Sequence, residues 1–184
     1  MSPTVIIIIV AVVLIVLWLI SVQRKLVSME EMCKNAMSQI GVQQASRWDA
    51  LSALVDLVKS YNEHEYNTLR DVIAARSTIN GNSTAAEAQA QEDKLNGAMK
   101  QFMLVAEQYP ELKANDMYTK TMDSVNVYEN QVRMSRMVYN DSVTKLNRTI
   151  RQFPDSIAAS IFHFSALEYL KEGVGKESMP SMKI

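Results

Sequence analysis

The chain has little of the residues that build small reactive sites: one cysteine, two histidines, four prolines and five glycines among 184 residues, with a net charge of -1. A lone thiol, Cys33, excludes an internal disulfide framework and any zinc or iron-sulfur site built from several cysteines. The balanced charge gives no reason to expect a nucleic acid or an acidic ligand as partner. There is no P-loop, G-x-G-x-x-G, G-x-S-x-G or EF-hand pattern. With so few helix breakers, and with Ala, Leu, Val, Met, Gln and Glu plentiful, the composition predicts an all-α chain.

One long apolar run is present. Val5 to Val22 comprises 18 residues without a charge, and at ~1.5 Å per residue a helix of that length reaches ~27 Å, close to the hydrocarbon thickness of a bilayer. Val5, Ile9, Val13, Leu17, Trp18 and Ile20 are the expected anchor residues. No basic residue precedes the run and no small-x-small cleavage signal follows it, so an uncleaved anchor is expected rather than a secretory signal. Arg24 and Lys25 follow directly, and the positive-inside rule then places the N-terminus outside and the remainder in the cytoplasm. The expected organisation is an extracytoplasmic end at 1–4, a transmembrane helix at 5–22, a helical bundle at 23–170 and a loose tail at 171–184.

Beyond the run, apolar residues recur at helical spacing. Leu26, Met29, Cys33, Ala36 and Ile40 step by three and four, and after a polar gap at Gln43 and Gln44 the rhythm resumes at Trp48, Leu51, Val55, Val58 and Tyr61. No proline lies between Val5 and Ser77, so a first helix is expected to run to about Arg76, with Gly41 its weak point. STINGNST, 77–84, breaks it. Thr84 and Glu87 form a capping box for a second helix, which Pro110 stops. A third helix carries an uninterrupted four-and-three seam: Tyr118, Met122, Val125, Glu129, Val132, Arg136, Tyr139, Val143, Leu146, Ile150 and Phe153. Pro154 ends it, with Asp155 or Ser156 capping a short final helix bearing Ile157, Ala158, Ile161, Phe162 and Phe164.

These lengths predict an elongated antiparallel bundle of three long helices plus a short C-terminal one. The second helix is expected to fold back over the distal half of the first, and the third to turn outward again. That arrangement leaves Leu26, Met29, Cys33, Ala36 and Ile40 uncovered beside the bilayer, so a homo-oligomer joined along this seam is expected.

The stretch SYNEHEYN, 60–67, has the look of a reactive site, but Glu63, His64 and Glu65 are consecutive and point about 100° apart on a helix. No metal, cofactor or catalytic group is expected from it. Glu65, Arg76, Glu129 and Arg136 instead fall at or beside positions that the apolar rhythm would bury. They are expected to form a buried polar layer between the first and third helices, fixing register. An anionic or amide ligand pocket is the alternative for the same residues. The sequons at Asn82, Asn140 and Asn147 read as accidental, and the twelve methionines as packing residues.

Several elements together carry a resemblance. They are His64-Glu65 after Val58-Lys59-Ser60-Tyr61, Ala75-Arg76, the connector Tyr109-Pro110-Glu111-Leu112-Lys113-Ala114, Glu129-Asn130, Arg136 with Tyr139-Asn140, and Phe153-Pro154 before Ile157-Ala158. The chain resembles the LemA family, bacterial proteins with one N-terminal transmembrane helix and a cytoplasmic antiparallel helical bundle. It departs from the family at Ser46 to Leu54, where a pair of arginines and a D-L-I-P-N-L element are usual, and at His163, where a glycine is usual. The resemblance implies a fold and a topology and no activity. Residues and resemblance together predict a non-catalytic, membrane-anchored, self-associating scaffold or adaptor at the inner face of a bacterial membrane. Its expected partners are the lipid bilayer, further copies of itself and an unidentified protein. The alternative is a sensor whose bundle binds a ligand or partner enzyme and signals through the first helix.

Overall fold

A computed structural model of the chain describes residues 2–74 and 76–171; most of the expected tail lies outside them. The described residues form six helices and no strand: α1 (Pro3–Val58), α2 (Glu63–Ala74), α3 (Ala85–Gln108), α4 (Pro110–Lys113), α5 (Asp116–Arg151) and α6 (Asp155–Ile161). Pro3 occupies the first turn of α1, where its missing N–H costs nothing. From there α1 continues for 56 residues, about 84 Å.

The first helix ends earlier than its apolar rhythm suggests. The backbone N–H groups of Tyr61 and Asn62 both close onto the Val58 carbonyl. Asn62 then caps α2, its Oδ1 accepting from the backbone N–H of His64 at 2.9 Å and of Glu65 at 3.2 Å. Its amide Nδ2 donates to the Tyr109 hydroxyl at 2.7 Å, tying this reversal to the end of α3. SYNEHEYN is therefore a turn and a helix start. Glu63 and Glu65 lie in the first turn of α2, where negative charge meets the positive end of the helix dipole.

This extra reversal changes the direction of everything after it. The connector past α2 crosses α1 at Gly41, where a Cβ would sit 2.1 Å from the Ile79 carbonyl oxygen. Gly41 is thus a close-packing position inside an unbroken α1, not a weak point. The Thr84/Glu87 capping box starts α3 as expected. α3 then runs parallel to α1, since Gln44 meets Ala88, Arg47 meets Asn96 and Asn62 meets Tyr109. α5 returns antiparallel along the whole bundle, from Val125 at the distal end to Ile150 beside Trp18 and Leu19.

α5 and α6 consequently cover the Leu26 to Ile40 seam. Leu26, Cys33, Ala36 and Ile40 are buried and Met29 is half-buried, against Tyr139, Val143, Leu146, Ala158 and Ala159 of the same chain. Each large apolar side chain so buried contributes about 1.5–3 kcal/mol to this chain's own fold. The expectation of an oligomer seam at these five residues is corrected accordingly.

The end of the chain differs in two further ways. Asp155 makes no cap for α6 and instead pairs with Lys25 at 2.9 Å. Phe153, expected at the end of the α5 seam, is exposed beyond the helix. His163 then takes φ 59°, the left-handed region that favours glycine, and 164–171 runs back along α5 as a non-helical strap.

Candidate functional site

Two apolar clusters fill the bundle, one from Val22 to Ile40 on α1 and one from Trp48 to Val58. A polar layer separates them. Gln44 and Arg47 of α1 face Gln91 and Glu92 of α3, and all four are buried. Arg47 Nη1 donates to Glu92 Oε1 at 2.6 Å, and Nη2 donates to Asn96 Oδ1 at 3.1 Å. Gln44 Nε2 donates to Glu92 Oε2 at 3.0 Å and to the Ala88 carbonyl at 3.2 Å. Gln91 Oε1 accepts from both the backbone N–H and the hydroxyl of Ser77.

Four buried atoms in or beside this layer have no hydrogen-bond partner among the described residues: Gln44 Oε1, Arg47 Nε, Trp48 Nε1 and Gln91 Nε2. An unsatisfied buried polar group costs about 1–3 kcal/mol. Such a layer therefore adds less to stability than an apolar filling of the same space would. Chemically it offers a cation, two amides and an indole N–H, a set suited to a small polar molecule or to fixing helix register.

The four charged residues expected to form such a layer do not meet. Glu65 is half-buried in the first turn of α2. Arg76, past the end of α2, pairs with Asp49 at 2.5 Å on the surface. Glu129 is exposed on α5, 3.7 Å from Arg133 one turn on. Arg136 donates to Gln89 Oε1 at 2.7 Å and to the Lys171 carbonyl. The break at Lys59 to Asn62 resets the helical phase, so Glu65 and Arg76 do not continue the α1 seam. Glu129 and Arg136 sit on the flank of the α5 seam that the strap covers only from Arg136 onward.

The residues that do form the layer carry a signal in the sequence, because Gln44 and Arg47 lie between Ile40 and Leu51 at steps of four, three and four, and Gln91 lies four residues before Leu95. Polarity at seam spacing marks a buried polar pair as readily as a gap.

α5 carries a second polar device. Asn147 donates to the Leu167 carbonyl and accepts from the Leu167 N–H, both at 2.9 Å. One heptad earlier, Asn140 does the same with Leu170 at 3.0 Å. Two of the accidental-looking sequon asparagines are thus main-chain clamps for the strap. Seven helical residues advance about 10.5 Å and three extended residues about 9–10 Å, so the two spacings match.

Between strap, α1 and the start of α3 lies a cavity of about 310 Å³ bordered by Cys33, Tyr139, Leu167 and Glu168. Burial, and then the nearby Glu30 carboxylate, pushes the Cys33 thiol up from its ordinary range. Burial also raises the Tyr139 phenol, with smaller contributions from Cys33 and Glu168.

A family model described as the LemA family matches residues 36–183. The chain belongs to the LemA family. The matched stretch holds the polar layer and the asparagine clamps and begins after the apolar run. Protein LemA of Metamycoplasma hominis is 28% identical over 125 residues, covering 65% of this chain and 55% of that relative. The chain therefore spans about half the length of the curated relative it matches.

Proposed function

We propose that this LemA-family chain is a non-catalytic scaffold or adaptor held at the inner face of a bacterial membrane by the first turns of α1. One observation carries the reading. The apolar stretch of α1 is long enough to cross a bilayer and only 6% of it is buried in the bundle, with Val5 to Leu17 exposed on every side of the helix. Such a surface is stable only in lipid or against another apolar body. Arg24 and Lys25 at its end support a cytoplasmic bundle.

Self-association, with the base of α1 already covered, would use the outer face of α5, where Val127, Met134, Met137 and Val138 are exposed opposite the core seam. Methionine-rich apolar stripes of this kind suit adaptable protein contacts. In cells carrying Met134→Cys, a membrane-impermeant maleimide should label the protein only after the membrane is opened, and the protein should resist alkaline extraction. Labelling of intact cells would reverse the topology, and release by alkali would refute the anchor.

A second reading, a sensor acting through α1, is favoured by the polar layer and its four unpaired atoms. A small polar ligand bound there would touch α1 and α3 together. Cross-linking between copies should then change when the ligand is added, whereas a scaffold assembles regardless.

A further inference from the structure

α6 is inside out. Ala158 and Ala159 are its buried residues, whereas Ile157 and Ile161, one turn apart on one face, are 48% and 54% exposed. Phe153 just before the helix is 82% exposed and Phe162 just after it 40%. Four large apolar side chains thus project from one corner of the bundle. A lone exposed apolar residue is ordinary, but a cluster of four around a seven-residue helix is a contact surface.

The position of this corner identifies what it contacts. Lys25 of α1 holds Asp155, the first residue of α6, at 2.9 Å. Lys25 lies three residues past Val22, so α6 sits about 5 Å beyond the end of the apolar run along the α1 axis. Ile150, one turn before Phe153, packs in the cluster that includes Trp18 and Leu19. If the apolar run spans the bilayer, the corner lies at headgroup depth, the level at which interfacial helices bury apolar faces by about 5–10 Å. Charge agrees: Arg24, Arg148 and Arg151 are exposed at the same end, and basic residues are drawn to an anionic leaflet.

We propose that the α6 corner, Phe153, Ile157, Ile161 and Phe162, is a second membrane contact that inserts into the interface of an anionic leaflet. It rests on the anchored reading of α1 and adds to it. One spanning helix leaves a bundle free to tilt and spin, whereas a span plus an interfacial corner fixes which face of the bundle looks along the membrane. The outer stripe of α5 is thereby presented at a set orientation.

The test uses the full chain with Cys33→Ala in vesicles of phosphatidylcholine and phosphatidylglycerol, carrying a nitroxide at one introduced cysteine. Sites are Ile157→Cys at the corner, Leu104→Cys on the exposed face of α3, and Ile9→Cys in the apolar run. The label at 157 should be several-fold less accessible to a water-soluble nickel relaxant than the label at 104. Replacing Arg148 and Arg151 with Gln, or adding salt, should reduce that protection in phosphatidylglycerol vesicles. A label at 157 as accessible as the one at 104, while the label at 9 is in hydrocarbon, overturns the corner contact alone. A label at 9 exposed to water overturns the anchor itself. Protection at 157 that grows with protein density at constant lipid would assign the patch to a second copy and equally overturn the proposal. The milder Ile157→Ser and Ile161→Ser variants, checked for an unchanged melting temperature, should release the corner without unfolding the bundle.

Discussion

Arg47 Nη1 lies 2.6 Å from Glu92 Oε1, and the pair is buried where α1 and α3 run side by side between the two apolar clusters. Removing one partner strands a buried charge. Arg47→Met or Glu92→Leu alone should each cost about 3–5 kcal/mol, whereas the double variant should recover most of that loss, because two apolar residues can fill the space of an ion pair. A double-mutant cycle by denaturant unfolding measures it. If the double variant loses as much as both singles added together, the two residues are not coupled and the layer is not a unit.

Gly41 decides how closely the 76–80 connector approaches α1. A methyl at that position would lie 2.1 Å from the Ile79 oxygen and 2.8 Å from its carbonyl carbon, both backbone atoms that cannot swing away. Gly41→Ala ought to help a helix by about 1 kcal/mol on propensity alone. Here overpacking should outweigh that and leave a net loss of about 1–3 kcal/mol. Thermal unfolding checks the sign, and a stabilised Gly41→Ala protein would mean that the connector does not cross α1 at this point.

Features written in local chemistry are legible in the sequence. The Thr84/Glu87 capping box, the stop at Pro110, the end of α5 before Pro154 and the buried stretch of the α5 seam from Val125 to Leu146 each depend on a few neighbouring residues. The reversal at Lys59 to Asn62 is harder to see, because it contains neither Gly nor Pro and the apolar rhythm passes through Tyr61. Its signal is Asn62 followed by Glu63 and Glu65, an N-cap with acidic first-turn residues. Without that one reversal the expected directions of α3 and α5 are inverted, and the Leu26 to Ile40 seam is left uncovered. The polar layer is hidden for another reason: Gln44 and Arg47 acquire meaning only through Glu92, 45 residues beyond Arg47, and periodicity within one helix cannot name a partner on another. The inverted face of α6 breaks the rule that apolar residues point inward, and such violations gather where a surface has a use.

The buried thiol and phenol predict an alkaline limit to stability. Both Cys33 and Tyr139 have folded values raised by burial, so the folded state holds their protons more tightly than the unfolded chain. Their contribution is intact below the unfolded values, about 8.5 for a thiol and about 10 for a phenol, and is lost as pH rises through the folded ones. The melting temperature should therefore be level from pH 7 to about 8.5 and fall above it. Cys33→Ala should remove the earlier part of the fall and Tyr139→Phe a share of the later part, the rest coming from Tyr118, whose phenol burial also raises. Cys33 should also react slowly with maleimide at neutral pH, since the thiolate is the reactive form.

The asparagine clamps predict local rather than global effects. In Asn147→Ala the Leu167 N–H and carbonyl both lose their partner, while Leu170 keeps its two bonds to Asn140 and remains buried. Losing partners costs about 1–3 kcal/mol, so hydrogen exchange at the Leu167 amide should speed up by about tenfold or more, 1.4 kcal/mol corresponding to one decade. Exchange at Leu170 should change much less, and the melting temperature of the bundle should barely move. Asn147→Asp should fall between the two, because a carboxylate still accepts from the Leu167 N–H but repels its carbonyl oxygen. Equal acceleration at Leu167 and Leu170 would mean that the strap opens as one unit, with the two clamps acting together. No acceleration at either residue would mean that the apolar contacts of Leu167 and Leu170 hold the strap without the asparagines.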